Sequence, residues 1–175
     1  MEVNSQRSGR SFAYRAPRGK RGFTLIELMV TIAIVAILMA LAAPAMSNFV
    51  LNGRAKQAAS DIWASMSLAR SEALKRNTNV AVGPVGSDWR NGWQVTAGTE
   101  VVTAHEALSD QFDSLPLGTL TYGRDGRLTT ASTEYVFSLA VAANSGVTKR
   151  CVYVRASGMP VIQVDNNRDG NCGND

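Results

Sequence analysis

Residues 23–49 read FTLIELMVTIAIVAILMALAAPAMSNF, and the architecture turns on this stretch. From Leu28 to Met46 it carries no charge over 19 positions. That is close to the ~20 residues a helix needs to cross a hydrocarbon layer about 30 Å thick. Arg15, Arg18, Lys20 and Arg21 stand directly before it, and basic flanks stay on the cytoplasmic side of a span. Residues 1–22 are therefore expected in the cytoplasm and residues beyond about 48 in the periplasm. The small-residue segment AAPA at 42–45 has the composition of a secretory cleavage site. Glu27 argues against that reading. A carboxylate inside an apolar span costs ~2.5–3.5 kcal/mol on insertion scales, so its presence points to a function for a helix that is kept.

Charge is distributed unevenly. Of the 18 Lys and Arg residues six lie in residues 1–22, with one of the 14 acidic residues, so residues 23–175 carry 12 basic and 13 acidic groups and a formal charge of −1. The basicity belongs to the leader. The body of the chain lacks the electrostatic footprint of a general nucleic-acid binder.

The ordered block Gly22-Phe23-Thr24-Leu25-Ile26-Glu27, with a basic leader before it and an apolar helix containing Pro44 after it, resembles the signal of type IV prepilins and type II secretion pseudopilins. The resemblance implies that a membrane prepilin peptidase cuts between Gly22 and Phe23 and methylates the new amine. It also implies that Glu27 of an incoming subunit pairs with the Phe23 amine of a neighbour. A cationic amine neutralises a carboxylate where water is absent, and glycine admits a peptidase close to the backbone. The implied partners are other pilins or pseudopilins, the peptidase, the membrane and an inner-membrane assembly platform. Pro44 removes one intrahelical bond, and a kink is expected there.

Beyond the span, Ala55, Ala58, Ala59, Ile62, Met66, Ala69 and Ala73 recur at three- and four-residue steps, the pattern of an amphipathic helix. Lys56, Ser60, Ser67 and Arg70 form a polar stripe interrupted by Trp63, and Asn77-Thr78-Asn79 ends the helix. Gly53 is a weak point in it, costing about 1 kcal/mol against alanine. Strands are expected at 80–82, 93–96, 100–104, 120–122, 134–139, 150–155 and 160–164, with a tight turn at Gly123-Arg124-Asp125-Gly126. The expected fold is α+β: a long N-terminal transmembrane and amphipathic helix packed on an antiparallel β-sheet head. The expected divisions are a cleaved leader (1–22), a transmembrane and polymerisation helix (23–49) and a periplasmic head (50–175).

Three further blocks, the segment LARSEALKRN at 68–77, Trp89-Arg90-Asn91-Gly92-Trp93 and Gly123-Arg124-Asp125-Gly126-Arg127-Leu128, are similar in order and spacing to FimT/GspH-type minor pilins and pseudopilins. This implies a structural subunit: a minor pilin in assembly or at the tip of a type IV pilus, with an H-type pseudopilin of a type II secretion system as the alternative. A DNA-binding pilin for DNA uptake is a third reading, with Arg124, Arg127, Arg150 and Arg155 as the phosphate-contacting set. Family members linked to DNA uptake carry a Gly-Arg-x-Arg motif, and the corresponding stretch here is Gly158-Met159-Pro160-Val161. DNA is therefore not the favoured partner.

Two cysteines, Cys151 and Cys172, permit one intramolecular bridge, which an oxidising compartment favours over two buried thiols. Asp165, Asn167 and Asp169 with Gly170 match the opening of a calcium loop, against the plainer reading of a polar loop closed by Cys172. No other cofactor is expected. His105 is the single histidine, and no enzymatic site is expected around it. Trp89 and Trp93 are expected in the core rather than as a platform for bases.

Overall fold

The computed structural model describes residues 22–108, 110–113, 115, 118–129, 134–141 and 146–173; of the expected leader, 1–22, all but Gly22 lies outside them. The chain divides into two units, Met1–Leu41 and Ala42–Asp175. Helix α1, Leu25–Arg76, is assigned without a break through Pro44 and Gly53. Through Val50 its side chains are exposed apart from half-buried Asn48, and Leu51 is the first buried one. The apolar part is long enough to cross a membrane.

After Leu51 the helix buries the stripe Ala55, Ala58, Ala59, Ile62, Met66, Ala69 and Ala73. Alanines bring the backbone close to what it packs on, while Ile62 and Met66 fill the space between them. The helix stops where Asn77 takes a left-handed conformation, φ 52°, and the Thr78 N–H returns to Ala73 O at 3.3 Å. This cap satisfies an end carbonyl without glycine.

Seven strands follow: β1 Val80–Pro84, β2 Trp93–Ala97, β3 Glu100–His105, β4 Leu120–Tyr122, β5 Tyr135–Leu139, β6 Arg150–Val154 and β7 Pro160–Val164. The expectation of one sheet needs correction. They form two antiparallel sheets, ordered β3-β2-β1-β4 and β5-β6-β7. Core residues of α1 and of both sheets make one buried cluster, with Val80, Val82, Val95, Leu120 and Tyr122 from the first sheet and Phe137, Leu139, Val152 and Val154 from the second. Strand β1 runs two residues past its expected end, through Gly83 and Pro84. Pro84 pairs only with Trp93 of β2, because β4 covers just Val80–Val82, so the missing proline N–H forfeits no ladder bond.

Asn52 clasps the segment leading into β6 to the helix: its Nδ2 donates to Gly146 O at 3.2 Å and its Oδ1 accepts from the Thr148 N–H at 2.9 Å. At the other end of α1, Arg76 holds Glu72 at 2.5 Å and Glu100 of β3 at 2.6 Å. The hydrogen bonds from Arg76 lower the pKa of both carboxylates from their ordinary value of 4.5. Their stabilising effect is complete above that value and disappears as pH falls through the lowered folded values. Acid should therefore destabilise the wild type more than Arg76→Met. Equal acid sensitivity of the two, followed by fluorescence, would show that this cluster contributes nothing.

Cys151 on β6 and Cys172 are joined in a disulfide across 21 positions, with Cα atoms 6.1 Å apart. Closing a loop of that length contributes about 3 kcal/mol. Cys172→Ser should lower stability against urea by about that amount, and an unchanged midpoint would refute the estimate.

Candidate functional site

The N-terminus of α1 is built by Thr24. Its Oγ1 accepts from the Glu27 N–H at 3.2 Å, so Thr24-Leu25-Ile26-Glu27 has the T-x-x-E spacing of a helix-capping box. Gly22 and Phe23 stand just outside the helix, and Phe23 is exposed. A cut between them would leave the cap intact. The Glu27 carboxylate lies in the first turn, where the helix dipole favours negative charge, and no described residue pairs with it.

Arg124, Arg127 and Arg155 lie on adjoining turns, since the Leu128 N–H reaches Ala156 O at 3.2 Å and a Cβ on Gly158 would sit 2.1 Å from Gly126 O. Arg155 pairs with Glu134 at 3.1 Å. Arg150 does not join them: it starts β6 at the far end of the strand, and its Nε is buried without a hydrogen bond. Where a second run of arginines would strengthen a phosphate site, Met159 and Val161 are exposed instead.

The acidic loop turns inward on its own backbone. Asp165 is buried, accepting from the Asp169 N–H at 3.2 Å and the Gly170 N–H at 2.9 Å. Asn167 Oδ1 also accepts from Asp169 at 3.0 Å, Asp169 Oδ1 takes the Asn171 N–H at 2.7 Å, and Lys149 Nζ donates to Gly170 O at 2.7 Å. Among the described residues no three His, Cys, Asp or Glu side chains converge on a metal position.

His105 stacks on Trp93 with ring centroids 4.0 Å apart, and its Nε2 lies 3.1 Å from Asp61 of α1. Trp89 and Trp93 are fully buried, which leaves no free ring face for a base. Trp89 meets Phe137 edge-on at 4.7 Å and so links the two sheets. Gly92 is demanded by φ 94° and by the 2.4 Å that would separate a Cβ from His105 O. Arg70 of α1 donates to Gly126 O at 3.1 Å, joining the first and third of the blocks singled out in the sequence. Their work is structural.

The family described as type II transport protein GspH matches residues 58–158, and the prokaryotic N-terminal methylation motif matches residues 17–43. The chain belongs to the GspH family. Two crystal forms of the type IV minor pilin FimU of Pseudomonas aeruginosa PAO1 share its fold. One covers 66% of this chain and 91% of its own at 20% identity and a TM-score of 0.53; the other covers 62% and 90% at 20% and 0.51. This GspH-family chain is thus a membrane-anchored minor pilin or H-type pseudopilin, a structural class that assembles with other pilins or pseudopilins. Sequence reading passed over the capping role of Thr24, although its spacing to Glu27 was a sufficient signal.

Proposed function

We propose that the chain is cut between Gly22 and Phe23, methylated on the Phe23 amine, and held in the bacterial inner membrane by residues 23–49 with residues 50–175 in the periplasm. It then leaves the bilayer as a minor subunit in assembly or at the tip of a type IV pilus. The observation that carries this is the pairing of a methylation motif with an apolar helix whose side chains are exposed through Val50, apart from half-buried Asn48. Such a surface needs lipid or other helices around it. Glu27 is the assembly group and pairs with the Phe23 amine of its neighbour. The peptidase and an inner-membrane platform are the implied machinery.

The description of the matching family favours a second reading, the H-type pseudopilin of a type II secretion system. The two differ in machine and share the chemistry. The test is the N-terminal mass of the protein from membranes of its native host, with and without the prepilin peptidase, followed by co-purification with sheared pili. A methylated Phe23 N-terminus that vanishes without the peptidase, in protein recovered with pili, supports the first reading. Processed protein absent from pili but cross-linked to a secretion pseudopilin supports the second. An uncut N-terminus overturns both.

A further inference from the structure

Strand β7 is the edge of its sheet and reads Pro160-Val161-Ile162-Gln163-Val164, with no charge along it. Soluble proteins ordinarily blunt such an edge with charge, a bulge or a covering segment, because its unpaired amides template another strand. The direction of those amides follows from the register. The Asp165 N–H bonds to Lys149 O, so the hydrogen-bonded pairs of β6 and β7 are 149/165, 151/163 and 153/161, alternating with pairs whose backbone groups point away. Pro160, Ile162 and Val164 therefore present their backbone groups outward. Pro160 has no N–H to present, and its carbonyl accepts from Trp63 Nε1 at 3.0 Å. No described residue pairs with Ile162 or Val164 on that side.

The side chains agree with an open edge. Ile162 lies on the same face as Val152 and Val154, which are fully buried, yet it is 36% exposed. The core is incomplete along β7. Where β7 begins, a cavity of about 290 Å³ opens between Trp63, Arg70 and Leu74 of α1 and Met159 and Pro160. Trp63 is 43% and Met159 54% exposed. This volume suits one inserted side chain rather than a small-molecule ligand. The α1 stripe that includes Trp63 carries Lys56 and Arg70 and no acid at Ser60 or Ser67.

We infer that the β7 edge accepts an extended segment of a different pilin-type subunit, added as a fourth strand to β5-β6-β7. Its apolar side chains cover Ile162 and enter the Trp63 cavity, and an acidic residue meets the Lys56 and Arg70 stripe. Backbone pairing supplies affinity and the cavity supplies register, the division of labour in strand-addition complexes. A different subunit, rather than a second copy, follows from the reading of this chain as a minor subunit, on which the inference rests.

The test places a photo-crosslinking residue singly at positions 28, 101 and 162 of the full chain in its native host. Position 162 should yield an adduct with another pilin-type subunit, mapped by mass spectrometry to an extended apolar segment containing an acid. Position 101, on the edge strand β3 of the other sheet, should not. Lys56→Glu, on the exposed side of α1, should cut the position-162 adduct by about tenfold through charge repulsion. Adducts from position 28 with none from 162, or a position-162 adduct only with another copy of the chain, would overturn the edge site while leaving the filament reading intact. Absence of adducts from both positions would overturn the filament reading as well. An undiminished adduct in Lys56→Glu would remove the acidic complement.

Discussion

Glu27→Gln should leave the cut after Gly22 unchanged and lower the amount of the chain recovered in filaments by about a hundredfold, as expected when one partner of a buried ion pair is lost. The glutamine variant is more informative than Glu27→Ala, because it keeps the size and polarity of the side chain and removes only the charge. The Thr24 cap survives either substitution, since its bond is made by the Glu27 backbone N–H. Glu27→Gln thus leaves the Phe23 amine of a neighbouring subunit without its counter-ion. Measured as filament-bound against membrane-bound protein, normal recovery of the glutamine variant would remove the ion pair from the assembly model. Loss in both variants, with processing preserved, would assign assembly to the charge.

Trp93→Ala should cost the head about 3–5 kcal/mol, the range for deleting a large buried aromatic side chain. Three connections end together at this ring. Its Nε1 donates to Ser65 Oγ at 2.8 Å, and that hydroxyl in turn donates to Asp61 O at 2.8 Å. Its face carries His105, and Trp89 lies 5.9 Å away toward the second sheet. The substitution leaves a cavity, halves the hydrogen bonding of buried Ser65 and frees the His105 ring at once. Trp63→Ala, at an exposed ring, should cost much less while weakening the proposed strand site. Urea denaturation of the full chain in detergent separates the two. A loss below about 1 kcal/mol for Trp93→Ala, the size of a typical surface effect, would mean that the helix and first sheet do not depend on this ring.

Local signals carried far in this chain. The apolar stripe from Ala55 to Ala73 was legible because helical burial repeats every three or four residues, and each of its seven members is buried. Strand β7 falls on the expected residues 160–164. Glu134 and Arg155, expected at strand ends, instead pair with each other just outside β5 and β6. The strand expected at 80–82 continues through Gly83 and Pro84 because the neighbouring strand on one side has already ended and because Thr119 lies where a Gly83 side chain would be, 2.5 Å from a Cβ. Residue type alone groups the four arginines; the direction of β6 separates Arg150, at its start, from Arg155, just past its end.

The sequence by itself determined the long apolar helix, its capped and charged start, the methylation motif and the helical stripe, because each is written in contiguous residues or in a short period. Only the tertiary structure decided that there are two sheets, that Trp89 joins them, and that β7 is left as an open edge beside Trp63. Those features depend on partners such as Arg70 with Gly126 and Trp63 with Pro160, 56 and 97 positions apart. Local propensity states that a segment is a strand; which edge remains unpaired is settled by the competition among all strands for neighbours and for the core.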